Sequence, residues 1–298
     1  MLWYETHQPA FRTLILPHAE PESIYSGARW AEGPLWVGDG RYLLFSDIPE
    51  NRILRWIEGV GVSEFSKPAQ FSNGRARDLQ GRIVTCEHGP RRLSRLEHDG
   101  SLTALATHYA GGRLNSPNDV IVQRDGNIWF TDPDYGILTD YEGERAPSEQ
   151  SGCHVFRLSP DGQLQAMISD MVKPNGLAFS PDERVLYVAD SGGSHQADGP
   201  HHIRRFTLSA DGNLAAAGVL AEVCPGMPDG IKVDELGNIW SSAADGVHCY
   251  AASGELLGKI LLPETVSNLC FGGERRNRLF ITATRSVYAV YVSVRGAI

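Results

Sequence analysis

The chain has 298 residues, 42% of them hydrophobic and 21% charged, an ordinary globular composition with enough apolar material for a sizeable core. Its 36 acidic residues outweigh 27 lysines and arginines, for a net charge of −9. That balance excludes the basic footprint of a nucleic-acid or anionic-membrane binder and favours small molecules or cations as partners.

The first stretch, MLWYETHQPAFRTLILPHAEPES, has neither the basic leader nor the apolar core of a signal peptide, and no run of about 18 apolar residues follows anywhere. The chain therefore reads as soluble and cytoplasmic, the alternative being a periplasmic or secreted protein already trimmed of its leader. Residues 1–27 read as an extension that helps close the fold of one domain spanning 1–298.

From residue 40 onward a unit repeats. GRYLLFSD ends at Asp47, GRIVTCE at Glu87, GNIWFTD at Asp132, RVLYVAD at Asp190, GNIWSSA at Ala243 and NRLFITA at Ala283. Each is a turn signal followed by a short strand rich in aromatic and β-branched residues. Second hairpins such as RLSRLEHDGSLTAL, GCHVFRLSPDGQL and IRRFTLSADGNL follow, with Asp-Gly or similar turns. Four short strands per repeat, a repeat length that suits one propeller blade, and almost no helical apolar period predict an all-β fold, a six-bladed β-propeller. A sandwich or an irregular solenoid is the alternative. The C-terminal SVYAVYVSVRG and the early ESIYSG are expected to share one blade and close the ring. Five cysteines without a C-x-x-C pair read as reduced and mostly buried.

At a nearly constant offset before each strand end stand Glu32, Asn73, Asn118, Asn175, Asp229 and Asn268, an acid or amide every time. In a propeller the first strand of each blade lines the axis, so these six side chains are expected to converge. Gly33, Gly74, Gly176 and Gly230 follow four of them, where absence of a Cβ permits close backbone approach; Pro117, Pro174 and Pro228 precede three. Two buried carboxylates, Glu32 and Asp229, need a cation or a proton between them. Oxygen donors alone suit a hard cation, Ca²⁺ first, then Mg²⁺ or Mn²⁺, with Zn²⁺ lacking its usual His or Cys partners. A polar, water-filled channel mouth is the plainer reading of the same ring.

WAEGPLW, RLNSPNDV, GNIWFTDPDYG, KPNGLAFSPD, LYVADS and MPDGIKVDELGNIW together resemble the SMP-30/gluconolactonase (regucalcin-like) family, the bacterial gluconolactonase branch above all, from about residue 28 onward. The resemblance implies a six-bladed propeller holding one divalent ion, with Glu32, Asn175 and Asp229 as ligands and Asn118 touching metal or substrate. It also implies that Asp229 is the general base of a hydrolase opening a sugar lactone. Substrate contacts are expected from Asn118, Asn73 and Tyr135. Ser116 stands where regucalcin carries an arginine, and Arg113 is the candidate replacement. Two other functions fit the same ring: a calcium-dependent phosphotriesterase and a non-catalytic calcium-binding propeller. No serine-nucleophile elbow, zinc-protease motif, Walker loop or dinucleotide fingerprint occurs. His195, His201 and His202 read as a solvated loop, Asp132 and Asp134 as a turn or a second ion site, and His88 and His154 as ordinary rim or core residues. The expected assembly is a monomer or weak homo-oligomer, with no membrane or nucleic-acid partner.

Overall fold

Six antiparallel sheets, five of four strands and one of five, together with a two-stranded ribbon, are seen in the computed structural model, which describes residues 3–297; Met1, Leu2 and Ile298, at the ends of the expected domain range, lie outside the described residues. The innermost strands are Ala31–Val37, Ser72–Arg77, Val120–Val122, Pro174–Phe179, Ile231–Val233 and Val266–Gly272. Each touches the innermost strand of both neighbouring sheets, so the ring closes as a six-bladed propeller. The second strands end at Asp47, Glu87, Asp132, Asp190, Ala243 and Ala283, the six residues at which the repeat was expected to end.

Burial follows the alternation of the strand. Consecutive residues point to opposite faces, and both faces of an inner strand meet another blade. Trp129 therefore packs toward blade four with Leu186, Val188 and Phe206, while its neighbour Phe130 packs toward blade two with Val84 and Leu93. Outermost strands such as Gly61–Ser66 and Leu102–Ala106 have one wet face and are largely exposed.

Glu22–Ser26 pairs with Ser286–Tyr291, Ser23 opposite Tyr288, so the first and last parts of the chain do share the closing blade. The extension also does something the sequence did not announce. Tyr4–Thr6 adds a fifth strand to blade five, Tyr4 opposite Ile260, and covers an edge that would otherwise offer free backbone groups. The short helix Phe11–Leu14 then packs its Phe11 ring 6.3 Å from that of Trp240.

At the axis the glycines are a steric necessity. A Cβ on Gly176 would lie 2.3 Å from the Asp229 carbonyl oxygen and 2.7 Å from the Gly230 Cα, and the Gly176 N–H donates to that same carbonyl at 2.9 Å. Gly33 meets the Asn73 carbonyl in the same way.

Two blades carry long connections between their second and third strands. In blade three residues 133–152 form a loop containing the helix Tyr135–Leu138, and in blade four residues 191–201 contain the turn Gly192–Ser194. The first loop is held down by His88, whose Nδ1–H donates to the Glu142 carbonyl at 2.9 Å, and by a close approach of Gly143 to Gly136. The two loops meet where the Tyr135 hydroxyl and Ser194 Oγ lie 2.9 Å apart.

Gly176→Ala is expected to cost about 2 kcal/mol or more in urea unfolding, because every atom the new methyl meets is backbone and cannot rotate away. Burial lowers His88 to about 4 from 6.5. The unfolded chain then binds more protons between those values, so stability rises with pH across that window and is lost as pH falls through it. His88→Gln should flatten the pH dependence of the unfolding free energy there, by up to about 1.4 kcal/mol per pH unit.

Candidate functional site

Five of the six expected ring residues, Glu32, Asn73, Asn118, Asn175 and Asp229, line one cavity of about 530 Å³ at the channel mouth. The sixth, Asn268, lies against its floor and donates from Nδ2 to Glu32 Oε2 at 3.2 Å. The strand-end acids explain how the ring is aimed. Asp47 accepts from the backbone N–H groups of Arg29 and Trp30, Asp132 from Asn115, and Asp190 from Val172 and Lys173. Each acid thus clasps the backbone just before a ring side chain.

Glu32 is 2% exposed; its Oε2 accepts from Gly33 N–H at 2.6 Å. Burial raises its carboxyl above the usual range, the Gly33 bond works against that, and Asp119 adds like-charge repulsion. Asp229 is raised too, by desolvation first and then by the charges of Glu32, Glu142 and Asp119, against a hydrogen bond from Asn175. Two buried carboxyls whose proton affinity is raised for want of a counter-charge are what a cation would relieve. The amides say the same: Asn73 Oδ1 and Asn175 Oδ1 are buried and accept no hydrogen bond. Orphaned acceptors of this kind carry a desolvation penalty unless something positive faces them. The donor set, all oxygen, fits a hard divalent cation. Among the described residues no three His, Cys, Asp or Glu side chains converge on one ion, since amides complete the ring.

Below the ring are charges that the sequence pattern did not mark. Asp119, 3% exposed, lies 3.6 Å from Lys232 Nζ. The buried Arg75 guanidinium donates to the Gly33 carbonyl at 2.7 Å and to Ser46 Oγ at 2.6 Å. Asp119 follows Asn118 in SPNDV, and that acid beside a ring amide was the available signal. Glu142 on the blade-three loop also lines the cavity, and nothing in its local sequence foretold it.

The expected substrate contacts divide. Asn118 and Asn73 face the cavity. Tyr135 lines it too, but its hydroxyl is engaged with Ser194 and the Ser191 carbonyl. It offers its ring, flanked by His195 at 5.5 Å and Lys173 Nζ at 5.2 Å. Arg113 does not belong to the site. It stands on the short strand Gly112–Arg113, and its guanidinium is taken up by the Pro90 carbonyl at 2.9 Å. His195, read from sequence as solvated, lines the cavity, whereas His202 is built into the third strand of blade four. Asp134 is paired with Lys173, while Asp132 accepts from the Asn115 N–H through Oδ2 and keeps a buried Oδ1 with no hydrogen-bond partner. All five cysteines are free; three are buried and Cys224 is exposed. Trp30, Ile48, Leu138, Tyr141, Met227 and Val266 supply the apolar wall.

Comparison with known proteins agrees with this architecture. The family model described as SMP-30/Gluconolactonase/LRE-like region matches residues 30–285. A gluconolactonase of Zymomonas mobilis is 35% identical, covering 92% of this chain and 82% of its own. A gluconolactonase structure from Xanthomonas campestris superposes with a TM-score of 0.90 at 40% identity, over 97% of this chain and 94% of that one. A regucalcin structure from Agrobacterium tumefaciens, described as a calcium-binding protein, has a TM-score of 0.76 at 17% identity, covers 93% and 95%, and speaks for the fold alone. By the extent of these matches the chain belongs to the SMP-30/gluconolactonase/LRE-like family.

Proposed function

We propose that the chain is a lactonase that hydrolyses a sugar lactone with the help of one divalent cation, calcium before magnesium, manganese or zinc. The observation that carries the reading is the floor of the cavity, where two uncompensated carboxyls and two orphaned amide oxygens face one space. Glu32, Asn175, Asp229 and Asn118 would hold the ion, and Asn73, whose Oδ1 is orphaned like that of Asn175, faces the same space. When bound, the ion supplies the positive charge that polarises an ester carbonyl.

The chain's own residues do the rest. Asp229 is the general base. Asn175 donates to its carboxylate, and the neighbouring acids raise its proton affinity, which suits it to take a proton from an attacking water. Asn118 and Asn73 present amides to the hydroxyls of a sugar ring, and the Tyr135 ring and the apolar wall meet its C–H faces. Both ester oxygens leave with the product, a hydroxy acid, and no covalent intermediate is needed.

Asp229→Asn should lower kcat for glucono-1,5-lactone by about 10² to 10⁴-fold. Full activity in a variant that still binds calcium by calorimetry would sink the assignment of the base. Chelation with EDTA should abolish turnover and added Ca²⁺ restore it. Because burial and like charge raise the proton affinity of Glu32 and Asp229, an ion loading there competes with protons. The calcium enthalpy should therefore vary with the ionisation enthalpy of the buffer, and affinity should fall as pH is lowered; a buffer-independent enthalpy contradicts this.

A further inference from the structure

The carboxylate of Glu142 has no counter-charge on the cavity side, and the lactonase reading gives that a consequence. Of the acids near the axis, Glu32 and Asp229 are the pair a divalent ion balances, and Asp119 has Lys232 at 3.6 Å. Arg75 is spent beneath the ring on the Gly33 carbonyl and two serine hydroxyls. Glu142 makes no side-chain hydrogen bond or ion pair among the described residues, and desolvation is the one cause that raises it, to about 7. It lies on the long blade-three connection, outside the six ring positions of the chain, and its charge is felt by both Glu32 and Asp229. The described residues lining the cavity include no lysine or arginine. Two cations beside the wall are occupied: Lys173 pairs with Asp134 behind the Tyr135 ring, and Arg29 lies over the Tyr141 ring with Glu50 at 3.4 Å. His195 is exposed, and partial burial of its ring together with Lys173 lowers its proton affinity.

The position of Glu142 is fixed. Its own carbonyl is held by buried His88, and the next residue, Gly143, is pressed against Gly136. Tyr135, Thr139, Tyr141 and Glu142 form one wall of the same cavity of about 530 Å³.

We infer that Glu142 sets the charge selectivity of this cavity: it admits uncharged polyhydroxylated lactones, disfavours those bearing phosphate, sulfonate or carboxylate, and hastens departure of the anionic product. The inference rests on the lactonase reading. Hydrolysis adds water across the ester, breaking the acyl C–O bond and forming a carboxylic acid and a hydroxyl; the acid then gives up a proton. A neutral ligand thus becomes an anion inside the cavity, where a fixed like charge weakens its hold.

The test compares kcat/KM for glucono-1,5-lactone and 6-phosphoglucono-1,5-lactone at pH 8, where Glu142 is ionised, with saturating Ca²⁺ and spontaneous hydrolysis subtracted. It also measures inhibition by gluconate. Glu142→Gln should raise the ratio of phosphorylated to neutral substrate about tenfold, mainly through KM, and tighten gluconate inhibition by a similar factor. Thr139→Lys, which brings a cation to the same wall and leaves Glu142 intact, should move both quantities the same way. Ratios and inhibition constants within twofold of wild type in both folded variants overturn the inference while the lactonase reading stands. A wild type that hydrolyses neither lactone removes the reading and the inference with it.

Discussion

Two carboxyl groups, Glu32 and Asp229, share one buried axis, and much of the molecule is arranged around the repulsion between them. Among the described residues neither has an arginine or lysine within ion-pair distance. What each has is dipoles: a backbone N–H and the Asn268 amide on Glu32, the Asn175 amide on Asp229. Dipoles hold a carboxylate in place without neutralising it, so the pair retains its affinity for protons or cations. A guanidinium between them would have quenched the site. Arg75 is close enough to feel Glu32, but its fork is turned to the Gly33 carbonyl and to Ser46 and Ser72.

That arrangement demands backbone contact between blades at the axis, and this is the part of the structure most legible in the sequence. Six strand ends placed the second strands, and a nearly constant offset back from them placed the polar ring, because every blade repeats the same path from axis to outer edge. The glycines after Glu32, Asn73, Asn175 and Asp229 were legible for the same reason: each abuts the next blade. What did not repeat could not be read. Tyr4–Thr6 pairs with a strand near the other end of the chain, and the Glu142 loop is an insertion in one blade only. Arg113 misled because sequence distance from Asn118 carries no direction; its short strand carries it to the Pro90 carbonyl. Lys232 and Asp119 lie on or beside the inner strands but off the ring offset, so periodicity passed over them.

The site therefore has two layers with different origins. Its floor is made by elements common to all blades and is tightly packed, since the axial glycines abut backbone and buried polar side chains of the next blade. Its mouth is made by the long connections of blades three and four, joined through Tyr135 and Ser194 and pinned by His88. Substitutions at the floor disturb several blades at once. Substitutions at the mouth change what the cavity admits with little effect on the ring, which is why loops on a fixed scaffold are where binding preference varies most freely.

The two layers are still coupled through charge. Glu142 raises the proton affinity of Asp229 from the mouth, as Glu32 and Asp119 do from the floor. On the proposed reading, an ion at the ring would favour the charged forms of Glu32, Asp229 and Glu142, so binding at the floor also favours ionisation at the mouth. Protons in place of the ion would have the opposite effect and weaken the negative charge at floor and mouth together. On that reading proton and cation compete for one set of oxygens, and the outcome of that competition sets the charge the cavity presents to a ligand.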